Sequence, residues 1–347
     1  MKRLEYIKIN DWWTKIIPPT LGFYFIGVIN NQHIPEMNYA EFLLFFLCIL
    51  FTTIFSYTLK EITDIKDDKE VGKKNKIEIL QPVNRIILLL LPIIAACILF
   101  VFITNSIFLI GLFIFQVIML ILHSVEPIRL KRNKFLSFIL YVFSNGVIFY
   151  IIAFVLSMKS NLNAISLLNI SLIATWGTIK GIRNTLVHQI TNRQKYKKNG
   201  SQSLTSFYGP LRLIKMINSI IIPIELIFIA LFFSQLTERN MFLIALGIFL
   251  IYQVFILSIW KLLLLQRRYF LKKFLHFLDN FYEAWLPLIS LIYLCIQDAT
   301  FLYLLSIFVV LFPIFIARLS TELSYTLKKS RVLVLDLVLI VKKIFNK

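Results

Sequence analysis

Long apolar runs recur along the whole chain and alternate with short polar loops. Most of these runs are close to the length that an α-helix needs to cross the ~30 Å hydrocarbon core of a bilayer, and the ninth is the shortest. The pattern therefore predicts an all-α, polytopic membrane bundle of about nine or ten transmembrane helices. Its ten predicted spans are roughly Trp12–Asn30, Phe42–Leu59, Ile86–Thr104, Ile107–Leu122, Leu136–Leu156, Ala164–Ile179, Leu213–Phe233, Phe242–Leu262, Trp285–Ile296 and Phe301–Ile316.

Composition supports a membrane protein. Of the 347 residues, 59% are hydrophobic, and the mean hydropathy of +0.80 is far above that of a soluble domain. The N-terminal segment is basic and aromatic and has no apolar core before the first span, so we expect no cleavable signal peptide. Cys48, Cys97 and Cys295 are scattered within apolar runs, and this predicts neither a disulfide framework nor a metal cluster.

The distribution of basic residues predicts the topology. The formal net charge is +19, and the basic clusters occupy loops 2–3, 4–5, 6–7 and 8–9, whereas the alternate loops hold only Lys159 and Arg239. Because basic loops stay in the cytoplasm, both termini are expected there, in a multi-pass protein of the inner (cytoplasmic) membrane. These loops lie beside anionic lipid, so the charge requires no nucleic-acid partner. We expect a transmembrane domain over residues 1–320 and a basic amphipathic, interfacial tail over residues 321–347.

An acidic cluster follows the second predicted span. If the helix continues past the span, Glu61, Asp64 and Asp68 occupy positions i, i+3 and i+7 and share one face. Mg²⁺ binds one or two carboxylates and completes its shell with water and substrate phosphate, so the spacing predicts that these three residues bind Mg²⁺. Asp67 and Glu70 point elsewhere. The alternative is a solvated acidic loop with no ligand.

Loop 4–5 carries basic residues that suit a diphosphate. Arg129 and Lys131 follow Pro127 closely, and basic side chains opposite a metal site would bind the phosphate oxygens. Taken singly, the same residues are ordinary charges of a cytoplasmic loop.

The two segments together resemble the UbiA superfamily of intramembrane prenyltransferases. Glu61-x-x-Asp64-x-x-x-Asp68-x-x-x-Gly72-Lys73 is similar to the first aspartate-rich motif of the family, which normally begins Asn-Asp where this chain has Lys60-Glu61. Ser124-x-x-Pro127-x-Arg129-Leu130-Lys131 is similar to the family's loop 4–5 signature. The resemblance extends from about Trp12 to about Ile316.

The resemblance implies a helical bundle around a central cavity. In such a bundle, acidic motifs hold Mg²⁺ and a prenyl diphosphate, with Asp64 among the catalytic residues, while an aromatic or other lipophilic acceptor is alkylated. We therefore expect a transferase of alkyl groups other than methyl, whose partners are the prenyl diphosphate, the acceptor and the bilayer.

The second aspartate-rich motif departs from the family pattern. After the sixth span, His188, Gln189 and Gly200 keep the frame of the motif, but Asn192 and Tyr196 stand where aspartates are expected. No Asp or Glu occurs between Glu126 and Glu225, so no nearby carboxylate compensates.

Two hypotheses follow from this departure. In the first, positive charge from Lys180 and Arg183 replaces the lost metal. These two residues bind the diphosphate together with Asn192. Arg183 and His188 take part in catalysis. In the second, the chain is a catalytically silent homologue that binds a lipid or assists assembly. His188 is equally compatible with a plain interhelical contact. A transporter is disfavoured, because the sequence shows no internal repeat of broken spans.

Glu225 is a carboxylate deep within the seventh span. An ionisable residue at this depth is a candidate functional residue by default. The alternative is an interhelical hydrogen bond made by the protonated acid.

Overall fold

The structure is a computed structural model that describes residues 9–31, 38–70, 72, 75–125, 146–158, 167–191, 193, 208–262, 275–313 and 324. The described residues are helical almost throughout, so the prediction of an all-α protein is confirmed. The chain divides into two compact units, Met1–Arg239 and Asn240–Lys347.

Eight helices make up the described part of the first unit. They are α1 Ile9–Asn30, α2 Tyr39–Thr63, α3 Ile65–Glu70, α4 Pro82–Ile103, α5 Ile107–Ser124, α6 Ile148–Ser157, α7 Leu167–Thr191 and α8 Pro210–Ser234. A short 3₁₀ helix, Lys76–Ile79, lies in the loop before α4. Within this unit α2 packs along α4, α1 along α6, and α7 along α8.

The second unit contains the remaining helices. They are α9 Arg239–Leu262, which begins at the last residue of the first unit, and then α10 Phe277–Asn280, α11 Leu286–Gln297 and α12 Leu302–Leu311. A π-helical turn, Phe281–Trp285, joins α10 to α11.

Each of the ten predicted spans overlaps a helix of the described residues, although Thr104 at the end of the third span and Phe312 in the tenth are not helical. The fifth span is described only from residue 146 onwards. Among the described residues, five helices are long and apolar enough to cross a membrane: α2, α4, α5, α8 and the part of α9 up to Ser258. Of the predicted tail over 321–347, only Ser324 lies within the described residues. The positions of the termini remain a prediction.

The outer faces of α4 and α5 identify a lipid-facing surface. Phe102 near the end of α4 is 78% exposed, and Ile107 at the start of α5 is 88% exposed. Further apolar side chains, among them Leu91 and Ile98, are exposed on the same two helices. A contiguous apolar surface of this kind is unfavourable in water and is suited to the bilayer core. The integral membrane assignment therefore agrees with the fold.

Helix α6 forms the centre of the first unit. Every side chain from Ile148 to Leu156 is buried, and a helix that is apolar and buried on all sides lies inside a bundle. It approaches α1 closely at Gly27, where an added Cβ atom would lie 1.8 Å from Ser157 Oγ and 2.7 Å from the carbonyl oxygen of Phe154. Small residues permit such close approach of membrane helices.

Gly27→Ala is expected to lower the free energy of unfolding by about 1–3 kcal/mol, because the added methyl group forces α1 and α6 apart. Thermal unfolding of the purified protein in detergent measures the effect. Gly111→Ala is the matched control, since nothing lies within 4 Å of a Cβ at Gly111 of α5. Equal melting temperatures for the two variants would contradict the close approach.

Helix α8 contains one irregular turn. Residues Ile217–Ile221 form a π-helical turn, after which the α-helix continues from Ile222. A π turn accommodates an extra residue within a helix and changes the direction in which later side chains point. Glu225 lies just beyond this turn and is fully buried.

Candidate functional site

The acidic segment spans the junction between α2 and α3. Helix α2 is capped by Asn38, whose Oδ1 accepts hydrogen bonds from the backbone N–H groups of Ala40 and Glu41 at 3.0 and 3.3 Å. The helix ends at Thr63. Asp64 is a turn residue between the two helices. The backbone N–H of Asp68 still donates to the carbonyl of Asp64 at 2.8 Å. Helical bonding therefore continues across the interruption at Asp64.

The three predicted carboxylates differ in burial. Glu61 and Asp68 are buried, and Asp64 is half-buried. Carboxylates are rarely buried unless a partner stabilises them, so this burial differs from what a freely solvated acidic loop would show.

Asn75 connects the two buried acidic positions. Its Nδ2 donates to the carbonyl oxygen of Glu61 at 2.9 Å and to Oδ2 of Asp68 at 3.1 Å. Its Oδ1 accepts from the backbone N–H of Ile77 at 3.0 Å and so caps the short 3₁₀ helix. Gly72, which lies between α3 and Asn75, has a left-handed φ of 69°.

The side chains of the acidic segment are compatible with one Mg²⁺ ion but do not form a ready-made cage. Among the residues that the structure describes, no three His, Cys, Asp or Glu side chains converge as a set of metal ligands. Mg²⁺ does not require such a cage, since it binds through one or two carboxylates and otherwise through water and phosphate. That Glu61, Asp64 and Asp68 bind it remains a prediction.

Lys180 of α7 lies among aromatic rings. Its Nζ donates to Oη of Tyr150 at 2.9 Å and lies 4.8 Å from the centroid of the Tyr150 ring and 5.3 Å from that of Trp176. Phe23 packs against both rings, with centroid distances of 5.2 and 5.0 Å. The ammonium is therefore buried and stabilised by ring faces as well as by a hydroxyl.

Arg183 lies one turn further along α7 and is paired with Glu225 of α8. Arg183 Nε donates to Oε2 of Glu225 at 2.7 Å, and an Nη2 contact to Oε1 measures 3.2 Å. Both side chains are 0% exposed. This two-pronged geometry is the strongest form of carboxylate recognition by arginine. Glu225 thus makes an interhelical contact, but its partner is a guanidinium, whereas the sequence analysis considered a hydrogen bond made by the protonated acid.

Comparison of the structure with solved structures identifies the fold. A UbiA homolog from Archaeoglobus fulgidus, solved bound to GPP and Mg²⁺, matches with a TM-score of 0.57 and 17% identity over 84% of this chain and 98% of that chain. A digeranylgeranylglyceryl phosphate synthase of membranes matches with a TM-score of 0.55 and 14% identity over 83% of this chain and 96% of that chain. The chain has the UbiA fold. No protein-family model and no curated protein matches the sequence.

Several of the predicted site residues of this UbiA-fold protein lie at the edge of the described residues or beyond them. His188 is exposed in the last turn of α7, and its carbonyl accepts a hydrogen bond from Thr191 Oγ1 at 3.1 Å. Arg129, Lys131 and Asn192 lie outside the described residues. Their assignment to diphosphate binding therefore remains a prediction, as does the catalytic role of His188.

Two residues that the sequence analysis did not select contact the candidate site residues. Tyr150 sits in an unbroken apolar run, which gives no sign that its hydroxyl contacts a lysine. Asn75 does carry a signal, because asparagine directly before a short helical segment is a preferred N-cap. That signal predicts the cap but not the bonds to Glu61 and Asp68.

Proposed function

We propose that this protein transfers a prenyl group from a prenyl diphosphate to an aromatic or other lipophilic acceptor within the cytoplasmic membrane. The observation that carries the proposal is the placement of Glu61, Asp64 and Asp68 around the junction of α2 and α3 within a UbiA fold. Support also comes from the Archaeoglobus homolog of the same fold, which was solved with GPP and Mg²⁺. The basic loops, which the positive-inside rule assigns to the cytoplasm, support a diphosphate site on that side.

The chemistry requires stabilisation of a leaving group. In prenyl transfer the allylic C–O bond breaks, the diphosphate keeps the electron pair, and the allylic carbon bonds to the acceptor, which then releases a proton. A divalent cation, when bound, neutralises part of the diphosphate charge. The acidic segment would hold that cation through one or two of its carboxylates, with the diphosphate oxygens completing the shell.

We assign binding of the diphosphate to Lys180, a cationic side chain of the protein. It is buried at the end of a tightly packed aromatic group, where water is scarce and a charge–charge contact is worth more than in solution. Arg183 is held by Glu225, so its charge acts on the diphosphate less directly. Positive charge near the altered second motif is therefore supplied first by Lys180.

Asp64→Asn is expected to lower the rate of diphosphate release by at least about 100-fold, because one of the few carboxylates available to the cation is lost. The measurement is diphosphate release by the purified protein in detergent, with prenyl diphosphates of several lengths and Mg²⁺. Asp67→Asn, on another face by its spacing, and Glu78→Gln, whose carboxylate pairs with Lys69 at the surface, are the controls. Comparable losses in all three variants would favour a solvated loop.

A second candidate function is a catalytically silent protein that binds a prenyl lipid. Two features favour it. The second motif has Asn192 and Tyr196 in place of aspartates, and Arg183, one of the basic residues expected to substitute for the second metal, is engaged by Glu225.

The double variant Asn192→Asp with Tyr196→Asp separates the two candidates. If the motif has decayed, the restored carboxylates are expected to recover or raise diphosphate release at high Mg²⁺. If positive charge has replaced the metal, the added negative charge brings no gain. The release rates of the wild type and the double variant are compared over a range of Mg²⁺ concentrations. Binding of a prenyl lipid without release in either protein would support the silent candidate.

A further inference from the structure

The loop between α3 and α4 holds a buried amide with a fixed orientation. Asn75 is only 5% exposed, and its carboxamide donates to two oxygens and accepts from one N–H. A flipped amide would place its oxygen against the carbonyl of Glu61 and the carboxylate of Asp68, both of which only accept. The observed orientation is therefore the one that satisfies every group.

The two oxygens that Asn75 binds belong to different helices. The carbonyl of Glu61 lies in the last turn of α2, where backbone carbonyls lose their helical partners. The carboxylate of Asp68 lies on α3, beyond the interruption at Asp64. One nitrogen thus ties the end of α2 to the side chain of Asp68. A carboxylate has about four acceptor positions, and the bond from Asn75 takes one of those of Asp68.

We propose that Asn75 is a positioning residue, which fixes the Asp68 carboxylate relative to Glu61 and so sets the geometry in which the acidic segment binds a divalent cation together with a diphosphate. This inference rests on the proposed function. Residues that hold metal ligands in place through hydrogen bonds typically contribute about 10–100-fold to metal affinity. The same contribution is expected of Asn75.

Two substitutions separate this role from the capping role of the same side chain. Asn75→Ala removes all three hydrogen bonds. Asn75→Ser keeps an oxygen that can cap the N–H of Ile77, because serine is a good N-cap, but it lacks the amide that reaches Glu61 and Asp68. Asn38→Ala is the matched control, since Asn38 caps the other end of α2 with hydrogen bonds to Ala40 and Glu41.

The experiment measures Mn²⁺ binding by electron paramagnetic resonance, with inorganic diphosphate present and the purified full-length protein in detergent. Thermal unfolding of each variant is recorded in parallel. We expect Asn75→Ala and Asn75→Ser to weaken Mn²⁺ binding by about 10–100-fold. Asn75→Ser should keep nearly the melting temperature of the wild type. Asn38→Ala should lower the melting temperature and leave the Mn²⁺ affinity unchanged.

Wild-type affinity in Asn75→Ser would overturn the inference while leaving the proposed function intact. A loss of affinity that follows melting temperature across all three variants, Asn38→Ala included, would overturn it as well. If the wild type itself binds no Mn²⁺ with diphosphate, both the inference and the metal-dependent part of the proposed function fail.

Discussion

Glu225→Ala is expected to lower the free energy of unfolding by about 3–5 kcal/mol, the cost of leaving a buried charge without its partner. Arg183 is 0% exposed and its guanidinium faces the Glu225 carboxylate through two nitrogens. Thermal or denaturant unfolding in detergent measures the loss. Glu78→Ala is the control, because its contact with Lys69 lies at the surface and such pairs contribute about 0–1 kcal/mol.

The double variant Arg183→Met with Glu225→Leu should recover most of the lost stability. Replacing a buried ion pair by apolar residues of similar volume is often neutral or stabilising. The double variant also isolates the predicted role of Arg183 in substrate binding. Diphosphate affinity that falls in this stable protein would support the role. Unchanged affinity would limit Arg183 to joining α7 to α8.

Lys180→Met is expected to weaken diphosphate binding by about 2–5 kcal/mol, roughly 30-fold or more, because a desolvated charge partner of the phosphate is removed. Methionine keeps the length and apolar character of the side chain, so the aromatic packing of Tyr150 and Trp176 is retained. Equilibrium binding of a prenyl diphosphate by the purified protein measures the effect.

Tyr150→Phe is the control for this change. It removes the hydroxyl that accepts from Lys180 at 2.9 Å but keeps the ring that packs against Phe23. We expect diphosphate affinity to stay within a few-fold of the wild type. If Lys180→Met binds as tightly as the wild type, the assignment of Lys180 to the diphosphate is wrong.

The spans could be predicted from the sequence because the bilayer fixes their length and composition. The predicted fourth span, Ile107–Leu122, differs from helix α5, Ile107–Ser124, by only a few residues. Polar residues set the ends that hydropathy does not locate. Helix α2, for example, begins earlier than predicted because Asn38 caps it, and it extends to Thr63 beyond the apolar run.

The acidic segment was predictable in part. Helical spacing brought Glu61, Asp64 and Asp68 together as a candidate set, but it assumed one continuous helix, whereas α2 ends before Asp64. The contact of Asn75 with this segment depends on how the chain returns from α3 to the start of the 3₁₀ helix. A periodicity carries no information on such a return.

The pairing of Arg183 with Glu225 could not be predicted, although the sequence marked both residues. They are 42 positions apart, and which buried charge meets which depends on the rotation of each helix about its axis. Burial makes the contact strong, but a sequence in which the two residues pair looks the same as one in which they lie apart.

The number of residues in the π-helical turn Ile217–Ile221 of α8 determines the direction in which Glu225 points. One residue of an α-helix corresponds to about 100° of rotation, and a π turn absorbs an additional residue without lengthening the loops on either side. If this turn became regular α-helix with the same number of residues, Glu225 would swing by about that angle, away from Arg183, whereas loss of one residue would give a regular helix and leave the pair in register. Homologous chains that keep the pair should therefore either retain the π turn or lack one residue of it.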